Sequence, residues 1–343
     1  MTERLIPLAE IQAAAERIRG RVHRTPMLSS RTAADVVQRR SQVRLGTGPA
    51  GDETARVFLK AEHLQVTGSF KARGATNRAA LLSDDERRRG IITASNGNHG
   101  QAVAFAGRAL GSPVTVVMPI VATRAKVAAT MGYGAQVVQH GEHFGEALAH
   151  AERLRDERGL IMIHAFDDPG VIAGQGTLGL EIVEDLPDVD AVIVGAGGGG
   201  LIGGIASAVK ALRPAVRVYG VEPERSNALQ LGVAAGAPVR ITPISMADGL
   251  GAAAAGVWTI ALAQRLLDDI LLVDEPTIAA GIRFALERMK QLLEPAGAAA
   301  LGALLAGLVP LGDGDTVAVV ASGGNIDLAR LPGILELAGD GEW

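Results

Sequence analysis

Lys71 is the residue of this 343-residue chain with the most scope for covalent chemistry. It lies in Gln65-Val-Thr-Gly-Ser-Phe-Lys-Ala-Arg-Gly-Ala75, where a turn gives way to a helical pattern. An ammonium in the first turn of a helix meets the positive end of the dipole, which lowers its pKa and favours the nucleophilic amine. Phe70 and small residues flank it, rather than the charged face of a solvated surface lysine. Three glycine-rich loops follow strand-like runs elsewhere in the chain. Thr93-Ala-Ser-Asn-Gly-Asn-His-Gly100 follows Ile91-Ile92 and precedes the helical run Gln101–Leu110, so it forms either an anion site at a helix N-terminus or a turn capped by Ser95 or Asn96. Gly195-Ala-Gly-Gly-Gly-Gly-Leu-Ile-Gly-Gly204 follows Ala191–Val194 and leads into Ile205–Leu212; its four consecutive glycines leave no side chain between backbone and a bound phosphate. Ala321-Ser-Gly-Gly-Asn-Ile-Asp327 presents the neutral hydroxyl of Ser322, or caps a helix starting near Asp327.

The second loop supports two chemistries. Gly195, Gly197 and Gly200 satisfy G-x-G-x-x-G, and Glu222 ends the following strand where a ribose-binding acid would stand. On that reading the protein is an NAD-dependent oxidoreductase and Lys71 is dispensable. On the other, Lys71 is a nucleophile acting beside a phosphate cradle.

The elements that must position these loops alternate along the chain. Val57-Phe-Leu-Lys, Gly90-Ile-Ile-Thr-Ala, Val114-Thr-Val-Val-Met, Ala135-Gln-Val-Val, Ala191-Val-Ile-Val, Val216-Arg-Val-Tyr-Gly-Val and Thr316-Val-Ala-Val-Val read as strands, with helical periodicity between them, as in Phe144–Arg158 and Ile278–Leu293. Such alternation predicts an α/β protein with largely parallel sheets covered by helices, and places ligands beyond the carboxyl ends of the strands. Glycine, 44 of 343 residues, is at about twice its usual frequency, as many turns and ligand loops require. The arginine- and glycine-rich stretch 39–56 offers no apolar face and reads as an exposed loop insertion.

Composition excludes several classes. Lys+Arg 33 against Asp+Glu 37 gives a net charge of −4 with no basic stripe, which argues against nucleic acid as a partner. The absence of cysteine removes disulfides, thiolate nucleophiles and thiolate metal sites together. The uncharged stretches Ala191–Val209 and Pro295–Gly312 are interrupted by glycines and by Pro310, unlike a membrane span. No secretory signal opens the chain, and a cytoplasmic location is expected.

Taken in order, Gly68-Ser-Phe-Lys-Ala-Arg-Gly74, Ser95-Asn-Gly-Asn-His-Gly100, Phe166-Asp-Asp-Pro-Gly-Val-Ile-Ala-Gly-Gln-Gly-Thr177, Gly197–Gly200, Glu294-Pro-Ala-Gly-Ala298 and Ser322-Gly-Gly-Asn325 cover nearly the whole chain. This series resembles the pyridoxal-phosphate-dependent threonine/serine dehydratases (ammonia-lyases) and serine racemases, of the tryptophan-synthase β-subunit fold type, fold type II. The resemblance implies a two-domain α/β enzyme with the cofactor in the interdomain cleft: a large domain from 1–82 and 166–343, and a small one from 83–165. It implies that Lys71 forms the internal Schiff base, that Phe70 packs beside the ring, and that Asn98 hydrogen-bonds the ring oxygen. It also implies that Gly197, Gly198, Gly199, Gly200 and Leu201 wrap the phosphate, that Gly249 lies close to the ring and that Ser322 faces the pyridine nitrogen. Ser95, Asn96, Gly97 and His99 would take the substrate carboxylate, with a loop-organising role as the alternative for His99.

The implied reaction is loss of water from a 3-hydroxy amino acid, giving a 2-oxo acid and ammonia. Pyridoxal phosphate supplies the electron sink, and the protein selects which bond breaks. A hydroxyl at Ser322 cannot hold the pyridine nitrogen protonated, which favours β-elimination over transamination; the freed Lys71 amine would take the α-proton, and the cofactor phosphate would protonate the leaving hydroxide. L-Threonine and L-serine are the first candidate substrates, with phenylserine and 3-hydroxyaspartate as alternatives. Racemases of the family place a serine where this chain has Asn96, so racemisation is expected to be weak or absent. The aspartate of a cation site known in some relatives falls on Ala228, so no metal is expected at Glu222. The histidines at 140, 143 and 150 read as a solvated helix face. A homodimer without a C-terminal regulatory domain is expected from the resemblance.

Overall fold

A computed structural model describes residues 5–45 and 56–341. Its strands are β1 (Met27–Ser29), β2 (Val57–Lys60), β3 (Ile91–Ala94), β4 (Val114–Met118), β5 (Gln136–Gln139), β6 (Ile161–Met162), β7 (Ala191–Gly195), β8 (Arg217–Pro223), β9 (Asp269–Val273) and β10 (Val317–Val320). They form a six-stranded sheet in the order β1-β2-β10-β7-β8-β9 and a four-stranded sheet in the order β5-β4-β3-β6. All pairings are parallel except β1 with β2.

The valine- and isoleucine-rich strands are buried on both faces, as parallel strands between helical layers must be. On β7, Val192 and Val194 pack with Leu178, Ile182, Ile202 and Ile205 of helices Pro169–Asp185 and Gly200–Leu212. Ala191 and Ile193 face the other way, toward Ala298, Leu301 and Leu304 of helix Pro295–Leu305. In the smaller sheet, Ile91 and Ile92 likewise join separate clusters. This is the period-two alternation of a strand sandwiched by helices. Helices Pro169–Asp185 and Gly200–Leu212 approach so closely that a Cβ on Gly204 would lie 2.4 Å from the Ile172 carbonyl oxygen. Glycine at this crossing is a packing requirement.

The parallel registers set the layout of the site. Val320 pairs with both Lys60 and Val194, so β2, β10 and β7 end side by side. The loops that follow them are those carrying Lys71, Ser322 and Gly197–Gly200. Beneath them, Arg73 is 1% exposed. It donates to both carboxylate oxygens of Glu62, at 2.8 and 2.9 Å, and of Glu181, at 2.6 and 2.9 Å. Buried Lys60 pairs with Glu181 at 2.8 Å and Asp185 at 3.2 Å. Charges this deep are tolerable only when paired and hydrogen-bonded, and the network pins helix Lys71–Ala80 to its neighbours.

Two expectations need correction. The stretch 39–56 is not wholly loop: Arg39–Ser41 complete helix Arg31–Ser41, which Ser30 caps and which buries Ala33, Ala34, Val36 and Val37. Leu45 is also buried in the main core, so this stretch does supply apolar contact, while 46–55 lie outside the described residues. The run Ile278–Leu293 is a helix over Glu275–Phe284 that widens into a π turn at Ala285–Met289 and stops where Lys290 adopts φ 60°. Among the described residues no helix is long and apolar enough to cross a membrane.

Candidate active site

A cleft of about 990 Å³, open mouth included, lies beyond the carboxyl ends of these strands. Every residue anticipated for cofactor or substrate lines it: Phe70, Lys71, Ser95–His99, Gly197–Leu201, Gly249 and Ser322. Residues distant in sequence meet here because β2, β10 and β7 of the six-stranded sheet and β3 of the four-stranded sheet all deliver their outgoing loops to this cleft.

Lys71 opens helix Lys71–Ala80, directly after Phe70. The Phe70 N–H donates to the Ser322 carbonyl at 3.1 Å, and a β-bridge joins Ser69 to Gly323, which ties the lysine loop to the serine loop. The Lys71 Nζ donates to the Ala165 carbonyl at 2.7 Å and lies 5.1 Å from the Phe70 ring centroid. Its pKa is pushed down to about 8, chiefly by burial and against the opposing charge of Glu294. The expected depression is therefore present, with desolvation as its main cause.

The Ser95–His99 loop runs from β3 into helix Asn98–Ala109. Ser95 Oγ accepts the N–H groups of Gly97 and Gly100, at 2.9 and 2.8 Å, so its side chain secures the turn. His99 is buried, and its Nε2 lies 3.1 Å from the Ile163 carbonyl. A carbonyl only accepts, so Nε2 carries the proton and Nδ1 is left a buried acceptor without a partner. Burial, reinforced by Lys71, drives the His99 pKa down to about 3, so the ring is neutral.

The glycine loop enters helix Gly200–Leu212, whose first-turn N–H groups have no intrahelical partner. Gly199 takes φ +90°, and a Cβ on Gly198 would lie 2.3 Å from Phe166 Cδ1. The backbone is thus pressed against Phe166 and lines the cleft with no side chain in between, as an anion cradle requires. Ser322 is buried, its Oγ 3.4 Å from the Ala296 carbonyl, and it offers a neutral hydroxyl. An amine of lowered pKa, an anion cradle, the Asn98 amide and an uncharged hydroxyl together match the aldehyde, phosphate, ring oxygen and pyridine nitrogen of pyridoxal phosphate. The residues fit that cofactor.

Glu222 does not join them. It is fully buried, accepts the backbone N–H groups of Leu229 and Gln230 at 3.0 and 2.8 Å, and is pushed up to about 8 by desolvation. A neutral, inward-facing carboxyl cannot serve a ribose, which removes the support for the NAD reading. Among the described residues, no group of three or more His, Cys, Asp or Glu could hold a metal ion. His140 and His150 stack at 4.0 Å between ring centroids.

Three polar residues of the cleft were not anticipated as site residues: Lys126, Asp248 and Glu294. Lys126, on helix Arg124–Gly132, forms an ion pair with Asp248 across the mouth. Glu294 accepts an N–H of Asn98 at 2.6 Å and is pushed up to about 7 by burial and by Asp248. Glu294 had a sequence signal, since it opens the motif Glu294-Pro-Ala-Gly-Ala298 that helps to carry the family resemblance, but no role was assigned to it. Lys126 and Asp248 had none.

The chain is similar to known proteins over most of its length. The family model for pyridoxal-phosphate-dependent enzymes matches residues 43–323. An L-threonine ammonia-lyase of Thermotoga maritima is 41% identical over 332 residues, 96% of this chain and 78% of that protein. The processed form of threonine deaminase isoform 2 from Solanum lycopersicum superposes with a TM-score of 0.85 at 35% identity, covering 97% of this chain and 88% of that one. Maize serine racemase superposes with a TM-score of 0.86 at 32% identity, covering 96% and 97%. With the match spanning most of its length and the cleft built for that cofactor, the chain belongs to the pyridoxal-phosphate-dependent enzymes.

Proposed function

We propose that this enzyme is a threonine/serine ammonia-lyase, eliminating water from a small L-3-hydroxy amino acid and releasing a 2-oxo acid and ammonia. The observation that carries the reading is the convergence of Lys71, of lowered pKa, with the glycine cradle, Asn98 and the neutral Ser322 in one cleft. The names of the relatives in Thermotoga and tomato support it.

Pyridoxal phosphate, when bound, supplies the sink for the electrons of the broken Cα–H bond. Lys71 would hold the cofactor covalently and, once released, remove the α-proton, because an amine titrating near 8 is partly unprotonated at neutral pH. The N–H groups of Gly197–Gly200 and Leu201 would hold the phosphate, and Gly249 would leave room for the ring. Ser322 would leave the pyridine nitrogen unprotonated. The Ser95–His99 loop would orient the substrate carboxylate. Asn96, an amide, cannot donate a proton to the face opposite Lys71, so elimination is favoured over racemisation.

In this reading 83–165 is a substrate-side domain set against a cofactor domain built from 1–82 and 166–343, and the enzyme works as a cytoplasmic homodimer. The test is the visible spectrum of the purified protein before and after borohydride, for wild type and Lys71→Ala, followed by 2-oxo acid assays with L-threonine, L-serine, phenylserine and 3-hydroxyaspartate. A borohydride-sensitive yellow colour confined to the wild type, with oxo acid from threonine or serine, is expected. A colourless protein that takes up no pyridoxal phosphate overturns the reading. Conversion of L-serine to D-serine faster than to pyruvate replaces it with the racemase.

A further inference from the structure

We infer that Glu294 is the positioning residue for Asn98 and, through it, sets the charge around the ring oxygen of the bound cofactor. The inference rests on the reading above that Asn98 faces that oxygen.

Glu294 stands at the N-cap of helix Pro295–Leu305, yet its side chain makes no capping hydrogen bond. It turns into the cleft, 4% exposed, and accepts from Asn98 Nδ2 at 2.6 Å. A second amide settles which way Asn98 points. Asn325 Nδ2 donates to the Thr67 carbonyl at 2.9 Å, and a carbonyl can only accept, so the Asn325 amide has one orientation. The same Nδ2 donates to Asn98 Oδ1 at 2.8 Å. With its oxygen held by Asn325, Asn98 must turn its amino group to Glu294, which uses one N–H and leaves the other for a ligand. The carboxyl fits here only because residue 323 is glycine: a Cβ on Gly323 would lie 2.1 Å from Glu294 Oε1.

The charged groups facing Glu294 are Asp248 from the turn Asp248–Leu250, Lys126 from helix Arg124–Gly132 and Lys71. Lys126 is engaged by Asp248, so Glu294 has Asn98, not a cation, as its hydrogen-bond partner. A carboxyl titrating near 7 in this setting gains its negative charge as pH rises through neutrality. The ionised form holds Asn98 as an acceptor and adds a negative charge close to the ring oxygen; the protonated form withdraws that charge.

The experiment is a pH titration of the visible absorption of the substrate-free holoenzyme. Wild type is expected to show a spectral transition with a midpoint near pH 7. Glu294→Gln, which cannot ionise, should keep the colour and lose that transition, and Glu294→Asp should retain it at a displaced midpoint. A transition that persists unchanged in Glu294→Gln, or its absence from wild type, overturns the inference. If Glu294→Gln does not fold, an unmoved midpoint in Glu294→Asp overturns it equally. A wild type that takes up no pyridoxal phosphate overturns the cofactor reading instead, so the two failures are distinct.

Discussion

Burial of Lys71 has a measurable consequence for the capture of pyridoxal phosphate. An ordinary lysine titrates at 10.5, and here burial lowers the value to about 8. At pH 7 about one amine in ten is then unprotonated, against roughly one in 3,000 for an ordinary lysine, a gain of about 300-fold (ten to the power 2.5). The assay mixes apoenzyme with excess pyridoxal phosphate, quenches with borohydride and measures covalent incorporation against pH. A free lysine derivative is run in parallel, so that the ratio of the two rates cancels the cofactor's own ionisations. That ratio should be flat below pH 8, where both amines lose protons in step. It should fall about tenfold per pH unit between 8 and 10.5, where Lys71 is already unprotonated and the free amine is still catching up. Lys71→Ala should abolish specific incorporation. A ratio that stays flat up to 10.5 would mean that Lys71 titrates like a solvated lysine and would refute the reasoning.

Three further outcomes are expected. Arg73→Met leaves Glu62 buried without its guanidinium partner and should cost about 3–5 kcal/mol; the denaturant midpoint of the apoenzyme checks this, and an unmoved midpoint counts against the network. Gly198→Ala drives a Cβ to within 2.3 Å of Phe166 Cδ1. Overpacking of about 1–3 kcal/mol should weaken pyridoxal phosphate binding roughly five- to 150-fold, read as a Kd by absorption titration, whereas an unchanged Kd would argue against the cradle. Glu222 is raised from 4.5 to about 8, so the folded state keeps a proton that the unfolded chain gives up. Stability from this group should therefore decline as pH rises from 4.5 to 8. Glu222→Gln should flatten that part of the Tm-against-pH curve, and an unaltered slope would show that Glu222 ionises normally.

Much of the architecture was legible because its signals are local. Val192-Ile-Val and Val317-Ala-Val-Val read as strands from a few residues, and the glycines that follow Val194 announce a close backbone approach. Helix ends were less legible. Ile278–Leu293 keeps its apolar period past the point where the helix widens and stops, since periodicity records which face is buried and not where hydrogen bonding ends. Likewise, 39–56 reads as a loop without an apolar face, yet Arg39–Ser41 are helical, Leu45 reaches the core and Val43 packs against it, because isolated apolar residues can be buried by contacts from distant segments.

At the site, the sequence alone determined which residues can do chemistry: Lys71, the glycines of 197–200, Asn98 and Ser322 stand in short motifs whose residue types already imply an amine, an anion cradle, an amide donor and a neutral hydroxyl. Tertiary structure decided which environment each of them feels. Lys71 owes its lowered pKa mainly to desolvation in the cleft, and Glu222 is turned inward to two backbone N–H groups instead of outward to a ribose. Asn98 is oriented by Asn325 and Glu294, each more than 190 positions away in the chain. Burial, charge proximity and hydrogen-bond direction depend on distances between segments that the parallel registers bring together, and no local pattern of residues encodes them.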